Sequence, residues 1–543
     1  MEDFIFGTVA TDELKLLNHR ATQEGLQHLH RLSPAIPQPG KPVTLTVVTG
    51  PGQPAERMAA YLTTDGREPR GSRGTAETGA AIPFQPGQVM WNTLLWGYIQ
   101  EWHADLPPQP DGTLVRYKIS AWCEQGDETY ADWPESKVKI ELATDAWFKG
   151  KPAPNTVPGD PARGKVFSYI VGKARAPKWA HSAVMYHIFV DRFFPGQGRA
   201  WLPAQNLHDR HGGTLWGIAE KLDHIERLGA NALWLSPTWP SPTHHGYDVT
   251  DYAHTNPLLG GDEALRALVT EAHRRGIRII LDLVCNHISN HHPLFVEALN
   301  QSASPYRGWF IFDDSEVGYR SFFGTHHMPQ VNLEHPGARQ WMLDTAQFWL
   351  REFGVDGYRL DHANGPSPDF WPEFTAVCAE ANPEAFVFGE VVEPPDVQKA
   401  YEGRLHGLLD FHLCDHLRKT YGYRSLPEAQ LETFLHRHRA FFPDDDEFVM
   451  LTFVDNHDMD RFKFIAGEDT ALLKRAAQIQ FAQPGTPVIY YGTEVGLSQS
   501  VSIKEVKQFD ASRAPMVWDE AAQDLDLFEF YQGLVRARTG TGK

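Results

Sequence analysis

Hydrophobic and polar positions along the chain fall into two regimes. The first holds short runs of β-type residues, VTLTVV, MAAYLTT, TLLWGYIQ, VRYKISAW and KVKIEL, with turn-forming pairs at Asp65-Gly66, Pro86-Gly87 and Asp111-Gly112 between them. Short strands with regular turn punctuation predict an antiparallel β-sandwich, placed at 35–140. A polar lead-in, 1–34, precedes it and is assigned no function. A Pro/Gly-punctuated linker, 141–180, follows, with a hairpin expected around VFSYIVG.

From residue 181 apolar runs alternate with amphipathic segments. The strands read AVMYHIFV, ALWLS, IRIILDLV, VDGYRL, AFVFGEV, GLLDF, FVMLTFV and PVIYY. The helices include LWGIAEKLDHIERLG, EALRALVTEAHRRG, ARQWMLDTAQFWLREFG and ALLKRAAQIQFA. Near-continuous apolar strands between amphipathic helices indicate a parallel sheet buried on both faces. Eight such units predict an α/β fold of the (β/α)8 TIM-barrel type over 181–543. The alternative, a doubly wound open sheet, lacks a phosphate-binding glycine turn. Residues 288–335, after the third strand, break the alternation. A loop of that length inside a compact domain is usually functional, so it is read as a small inserted domain forming one wall of a cleft.

Composition narrows the function. The 543 residues carry a net charge of −19, with 42% hydrophobic and 22% charged residues. That excludes global disorder and argues against nucleic-acid or anionic-membrane partners. No window reaches the apolar length of a membrane span. The opening MEDFIFGTVATDEL has no basic segment followed by an apolar run, so no signal peptide is expected. Cys123, Cys285, Cys378 and Cys414 have no metal-like spacing. Free thiols in a reducing compartment are expected, hence the cytoplasm. The 16 Trp, 17 Tyr and 31 Phe supply flat surface that suits sugar rings as well as cores. For Trp91, Trp96, Trp102, Trp122 and Trp133 of the sandwich, packing between sheets is the expected role of most, and stacking on a glycan is the alternative.

Chemistry gathers around VDGYRLDHAN. Arg359 and Asp361 stand at i and i+2, so on one strand they share a face. A cation there lowers the carboxylate pKa and keeps it ionised, as a carboxylate nucleophile requires. A structural ion pair is the competing reading. Four further polar clusters fall just past other predicted strands: Tyr247 and Asp248 after the second, Asp282, Asn286 and His287 at the third, Glu390 at the fifth, and His457 and Asp458 at the seventh. In a barrel these ends form the active site.

DLVCNH, GYRLDHAN, FGEV and FVDNHD, with HGYDVTDY and MPQVN, resemble the central and accessory motifs of the α-amylase family of retaining glycoside hydrolases. The resemblance covers about 181 to 538. It implies Asp361 as nucleophile, Glu390 as general acid/base and Asp458 as the third carboxylate, gripping sugar hydroxyls. It implies substrate-binding or supporting roles for Tyr247, Asp282, His287, Arg359 and His457. MPQVN is most similar to the neopullulanase, cyclomaltodextrinase and maltogenic amylase group. That implies hydrolysis of α-1,4 and also α-1,6 glucosidic bonds in maltodextrins, cyclodextrins or pullulan, and a homodimer. In a retaining enzyme two carboxyl groups lie about 5–5.5 Å apart, with Glu390 raised in pKa to serve as the acid.

Three features depart from the group. HANG follows Asp361 where VANE is usual, VV follows Glu390 where an aromatic is common, and the sequence ends at TGTGK where a C-terminal β-sandwich normally continues. The first two leave a transglycosidase or sugar isomerase as the alternative. An inactive barrel serving as a glycan-binding or scaffold protein is the alternative of another class, and the presence of all three carboxylates opposes it. Asn286 matches a calcium ligand of many family members, but one asparagine is far from a calcium site, so no metal is expected.

Overall fold

The computed structural model describes residues 16, 19–20, 22–53, 55–131, 164–172, 175–443 and 447–540. Trp133 and the KVKIEL run lie outside the described residues. Eight parallel strands close into a barrel: Met185–Ile188, Ala232–Leu235, Arg278–Val284, Gly357–Asp361, Phe386–Gly389, Gly407–Leu409, Val449–Thr452 and Thr486–Tyr490. Each lies within one of the eight apolar runs or extends past it by one residue. Alternate side chains divide the work. Trp234, Ile280, Phe386, Phe388, Leu451 and Val488 fill the lumen, while Leu233, Leu235, Leu281, Tyr358, Leu360 and Val387 pack outward with the helices. Tyr358 shows the outward half of this parity, its hydroxyl donating to the Ala346 carbonyl of helix Pro336–Phe348 at 2.6 Å. Arg359 and Asp361 therefore face inward.

Gly357 opens the fourth strand with φ +146°, and a Cβ there would stand 1.9 Å from the Phe386 carbonyl oxygen. Only glycine lets the fourth and fifth strands meet in this register, which places Leu360 beside Gly389 and so Asp361 beside Glu390.

The sandwich extends past both expected borders. One sheet holds Leu26–Gln27, Leu32–Ser33, Val43–Thr49, Gln85–Asn92 and Gly97–Leu106. The other holds Arg57–Thr63, Ala80–Pro83, Leu114–Trp122, Thr129–Tyr130 and Phe167–Ile170. Residues 26–33, taken as lead-in, thus belong to a sheet. Phe167–Ile170, taken as part of a linker hairpin, instead pairs antiparallel with Leu114–Tyr117. All four of its residues are buried, which a free-standing hairpin could not achieve.

TLLWGYIQ is a turn followed by a strand. The Asn92 side chain accepts from the Leu94 and Leu95 amides at 3.0 and 3.1 Å, and Trp96 has φ +53°. The tryptophans divide accordingly. Trp102 and Trp122 are 3% and 7% exposed, whereas Trp91 and Trp96 on the hairpin are 48% and 78% exposed.

The 288–335 segment carries a helix, Pro293–Asn300, returns to the barrel through a short bridge from His287 to Gln330, and closes on itself through one from Ser321 to Pro329. Phe322 lies 4.7 Å from the His287 ring and 4.9 Å from the His362 ring, centroid to centroid. The segment thus stands beside the C-terminal ends of the third and fourth strands.

Candidate active site

Parallel pairing sets Asp282 beside Arg359 and Val284 beside Asp361. Arg359 Nη1 donates to Asp282 Oδ1 at 2.7 Å and to Asp361 Oδ1 at 2.9 Å. Its Nη2 lies 2.6 Å from Glu390 Oε2, an ion pair out of line for a hydrogen bond. One guanidinium thus contacts three carboxylates. Asp282 Oδ2 in turn accepts from Trp234 Nε1 at 3.0 Å and from the Tyr247 hydroxyl at 2.9 Å.

The Tyr247 hydroxyl has one proton and gives it to Asp282. It therefore accepts from His457 Nε2 at 2.6 Å, which also lies 3.0 Å from Asp458 Oδ2. Burial first, then Arg513 and Arg359, push the His457 pKa far down, so the ring is neutral with its proton on Nε2. The Tyr247 and His457 rings lie parallel within 3°, centroids 5.4 Å apart.

Exposure sorts these residues. The side chains of Asp361, Glu390 and Asp458 are 11%, 10% and 19% exposed, whereas those of Arg359 and Asp282 are 0%. Asp282 and Arg359 are expected above in substrate-binding or supporting roles. At 0% exposure neither side chain presents surface to a sugar. Tyr247, His287 and His457 are 8%, 1% and 1% exposed.

The pairing of Arg359 with Asp361 also needs correction. Its lowering effect is present, but burial outweighs it and Glu390, Asp282 and Asp458 add to the rise, so the Asp361 pKa goes up rather than down. Burial likewise raises Glu390, opposed by Arg359 and reinforced by Asp458, raises Asp458 against Arg513 and Arg359, and lifts Asp282 to about 6. Four carboxyl groups share two guanidinium charges, so the titration of each depends on the others. Glu390 Oε2 already faces Arg359 and accepts the His362 amide at 3.0 Å. A proton carried by Glu390 therefore belongs on Oε1.

Arg513, Trp234 and the His362 amide were not singled out from the sequence. Arg513 donates from Nη2 to Asp458 Oδ1 and from Nε to the His457 carbonyl, both at 2.8 Å. It comes from the loop after the eighth strand, where no local pattern marks it. Trp234 was legible as an aromatic at an inward position of an aliphatic strand. Asp248 faces away from the carboxylates, with Ser241 and Thr243 donating to it.

The Asn286 amide nitrogen lies 3.2 Å from His287 Nδ1. Among the described residues no group of three His, Cys, Asp or Glu is placed to hold a metal.

Residues 187–525 match the sequence profile described as "Alpha amylase, catalytic domain". The chain belongs to the α-amylase family. Its barrel carries that family's motifs on the strand ends where the carboxylates meet. The chain is 40% identical over 365 residues to Alpha-amylase 2 of Dictyoglomus thermophilum, covering 67% of this chain and 64% of that protein. It is 33% identical over 380 residues to Neopullulanase 2 of Thermoactinomyces vulgaris, covering 67% and 63%. The chain therefore matches just under two thirds of these relatives' own length. A solved cyclomaltodextrinase superposes with a TM-score of 0.63 at 26% identity over 95% of this chain and 84% of that one. Among the described residues no helix is long and apolar enough to cross a membrane.

Proposed function

We propose that the protein is a retaining α-glucan hydrolase, cleaving α-1,4 and also α-1,6 glucosidic bonds in maltodextrins, cyclodextrins or pullulan through a covalent glycosyl-enzyme. The observation that carries this is the single Arg359 guanidinium in contact with both Asp361 and Glu390. It keeps the two carboxyl groups close, which suits the short spacing, about 5–5.5 Å, of retaining enzymes. Asp361 attacks the anomeric carbon as Glu390 gives its proton to the departing glycosidic oxygen. Glu390 then takes a proton from water, which attacks the same carbon and releases Asp361. Asp458, held by Arg513, accepts hydroxyl hydrogen bonds that tighten at the transition state. Tyr247 and His457 support the sugar from below. No metal takes part in this scheme. Cys123, Cys285, Cys378 and Cys414 form no disulfide, which suits a cytoplasmic location, and the exposed hairpin bearing Trp91, Trp96 and Leu94 offers a face for a homodimer.

A second reading, transglycosylation, is favoured by one feature. His362 follows Asp361 with φ +42° and is flanked by Phe322 and by Phe323, which is 57% exposed. An aromatic wall beside the acid favours a sugar over water as acceptor. Incubation with maltoheptaose, β-cyclodextrin and pullulan, with products resolved by chromatography, tests both. Ring opening or pullulan cleavage to shorter sugars is expected. Products longer than maltoheptaose would establish transfer, and no turnover of any of the three would overturn the proposal.

A further inference from the structure

The loop from His362 to Phe370 joins the fourth barrel strand to helix Trp371–Ala381. Its near end serves the acid/base. The His362 amide donates to Glu390 Oε2 at 3.0 Å, and the Ala363 amide donates to the Glu390 carbonyl at 2.9 Å. Its far end is gripped by the other domain. Asp369, 2% exposed, accepts the Ser168 amide on Oδ1 at 2.6 Å and His30 Nε2 on Oδ2 at 2.8 Å. The Ser168 hydroxyl donates to the Asp369 carbonyl at 2.9 Å, and buried Lys165 stands 3.8 Å from Oδ2. His30, Lys165 and Ser168 all belong to the sandwich side.

Within the barrel, Ser367 Oγ donates to Asp369 Oδ2 and Arg339 Nη2 to the Asp369 carbonyl, both at 2.8 Å. Burial alone would raise this carboxyl, but His30, Lys165 and Arg404 outweigh it and hold it below the usual range. Asp369 is therefore an anion; burial holds His30 below its ordinary pKa, so His30 serves as a neutral hydrogen-bond donor, and the charged partners are Lys165 from the sandwich side and Arg404 from the barrel. A folding requirement of the barrel alone would not place the sandwich's partners there. A buried charge stripped of such partners is strongly penalised, so this contact ties the loop to the sandwich.

We infer that Asp369 is a positioning residue, through which the β-sandwich fixes the loop that holds Glu390 in its working orientation. This rests on the acid/base role proposed for Glu390. The Ala363 carbonyl stays held by Trp371 Nε1 at 2.9 Å, so releasing the far end is expected to shift the His362 amide rather than free it, lengthening its bond to Glu390 Oε2. That bond favours the carboxylate over the acid, so its weakening raises the Glu390 pKa. Arg359 and Asp361 from the fourth strand and Asp458 from the seventh also face Glu390. All three keep their places, because strand pairing and Arg513 fix them.

The test is Asp369→Asn in the full chain, with Ser168→Ala and His30→Phe loosening the same contact from the sandwich side. In Asp369→Asn, kcat on maltoheptaose is expected to fall by about tenfold to a hundredfold, as for misplacement by about 1 Å. The alkaline limb of kcat/KM, which reports the protonated acid, is expected to move to higher pH. Amide hydrogen exchange at 362–370, read without substrate, is expected to quicken in every variant that folds. A merely structural contact would lower the melting temperature while leaving the alkaline limb in place, and that result overturns the inference. So does unchanged exchange across the loop. Inactivity of the unaltered protein would instead strike the proposed hydrolase function, and the exchange comparison would still decide whether the sandwich holds the loop.

Discussion

Glu390→Gln is expected to lose about 10²- to 10⁴-fold in kcat/KM on maltoheptaose, the usual contribution of a positioned general acid. Glutamine keeps the shape and can still accept the His362 amide that Glu390 Oε2 accepts now. It cannot deliver a proton to the glycosidic oxygen. The loss should therefore depend on the leaving group. α-Maltosyl fluoride departs without protonation, so formation of the glycosyl-enzyme from it should be nearly preserved, and deglycosylation should become the slow step. An equal loss on both substrates would show that Glu390 only supports the site.

The second large effect is on stability. Arg359→Leu removes the cation that contacts Asp282, Asp361 and Glu390 from a fully buried position. Breaking a buried ion pair by deleting one partner costs about 3–5 kcal/mol, and here three carboxylates lose it. The pH dependence follows from the direction of their shifts. Even with Arg359 present, burial holds all three above their ordinary values, Asp282 at about 6, and without the cation they rise further. A carboxyl whose folded pKa exceeds its unfolded one stabilises the fold below the unfolded value. It loses that contribution as pH rises through the folded value. The variant should thus be closest to the parent in denaturant midpoint near pH 4 and fall behind progressively from pH 4 upward. A deficit that grows on acidification would contradict this arrangement of charges.

Legibility followed the strength of the local pattern. The barrel strands stand out because they are buried on both faces and so read as mostly apolar runs, as at Ala232–Leu235. The inward parity of Arg359 and Asp361 came with it. The sandwich borders were hidden because Leu26–Gln27 and Leu32–Ser33 are two-residue strands, too short to show a period of two. The turn before Gly97 was hidden because Leu94, Leu95 and Trp96 carry strand-like side chains, whereas Asn92 imposes the reversal. The carboxylate positions were legible from motifs, but their net pKa shifts were not. The Arg359–Asp361 pair can be seen locally, while burial and the sum of Asp282, Glu390 and Asp458 exist only once the barrel closes. Arg513 lies 55 residues from the Asp458 it holds, and Asp369 is matched by a domain 201 residues earlier. No local pattern announces partners at such separations.

The most direct measurement is covalent trapping with 5-fluoro-α-D-glucosyl fluoride, followed by proteolysis and mass spectrometry. Its fluorines speed departure of the leaving group while slowing hydrolysis of the glycosyl-enzyme. A fluoroglucosyl label on the peptide containing Asp361, absent from Asp361→Asn, is the expected result. A label on another residue, or turnover of maltoheptaose with inversion at the anomeric carbon and no label, would contradict the assignment of Asp361 as the nucleophile of a retaining enzyme.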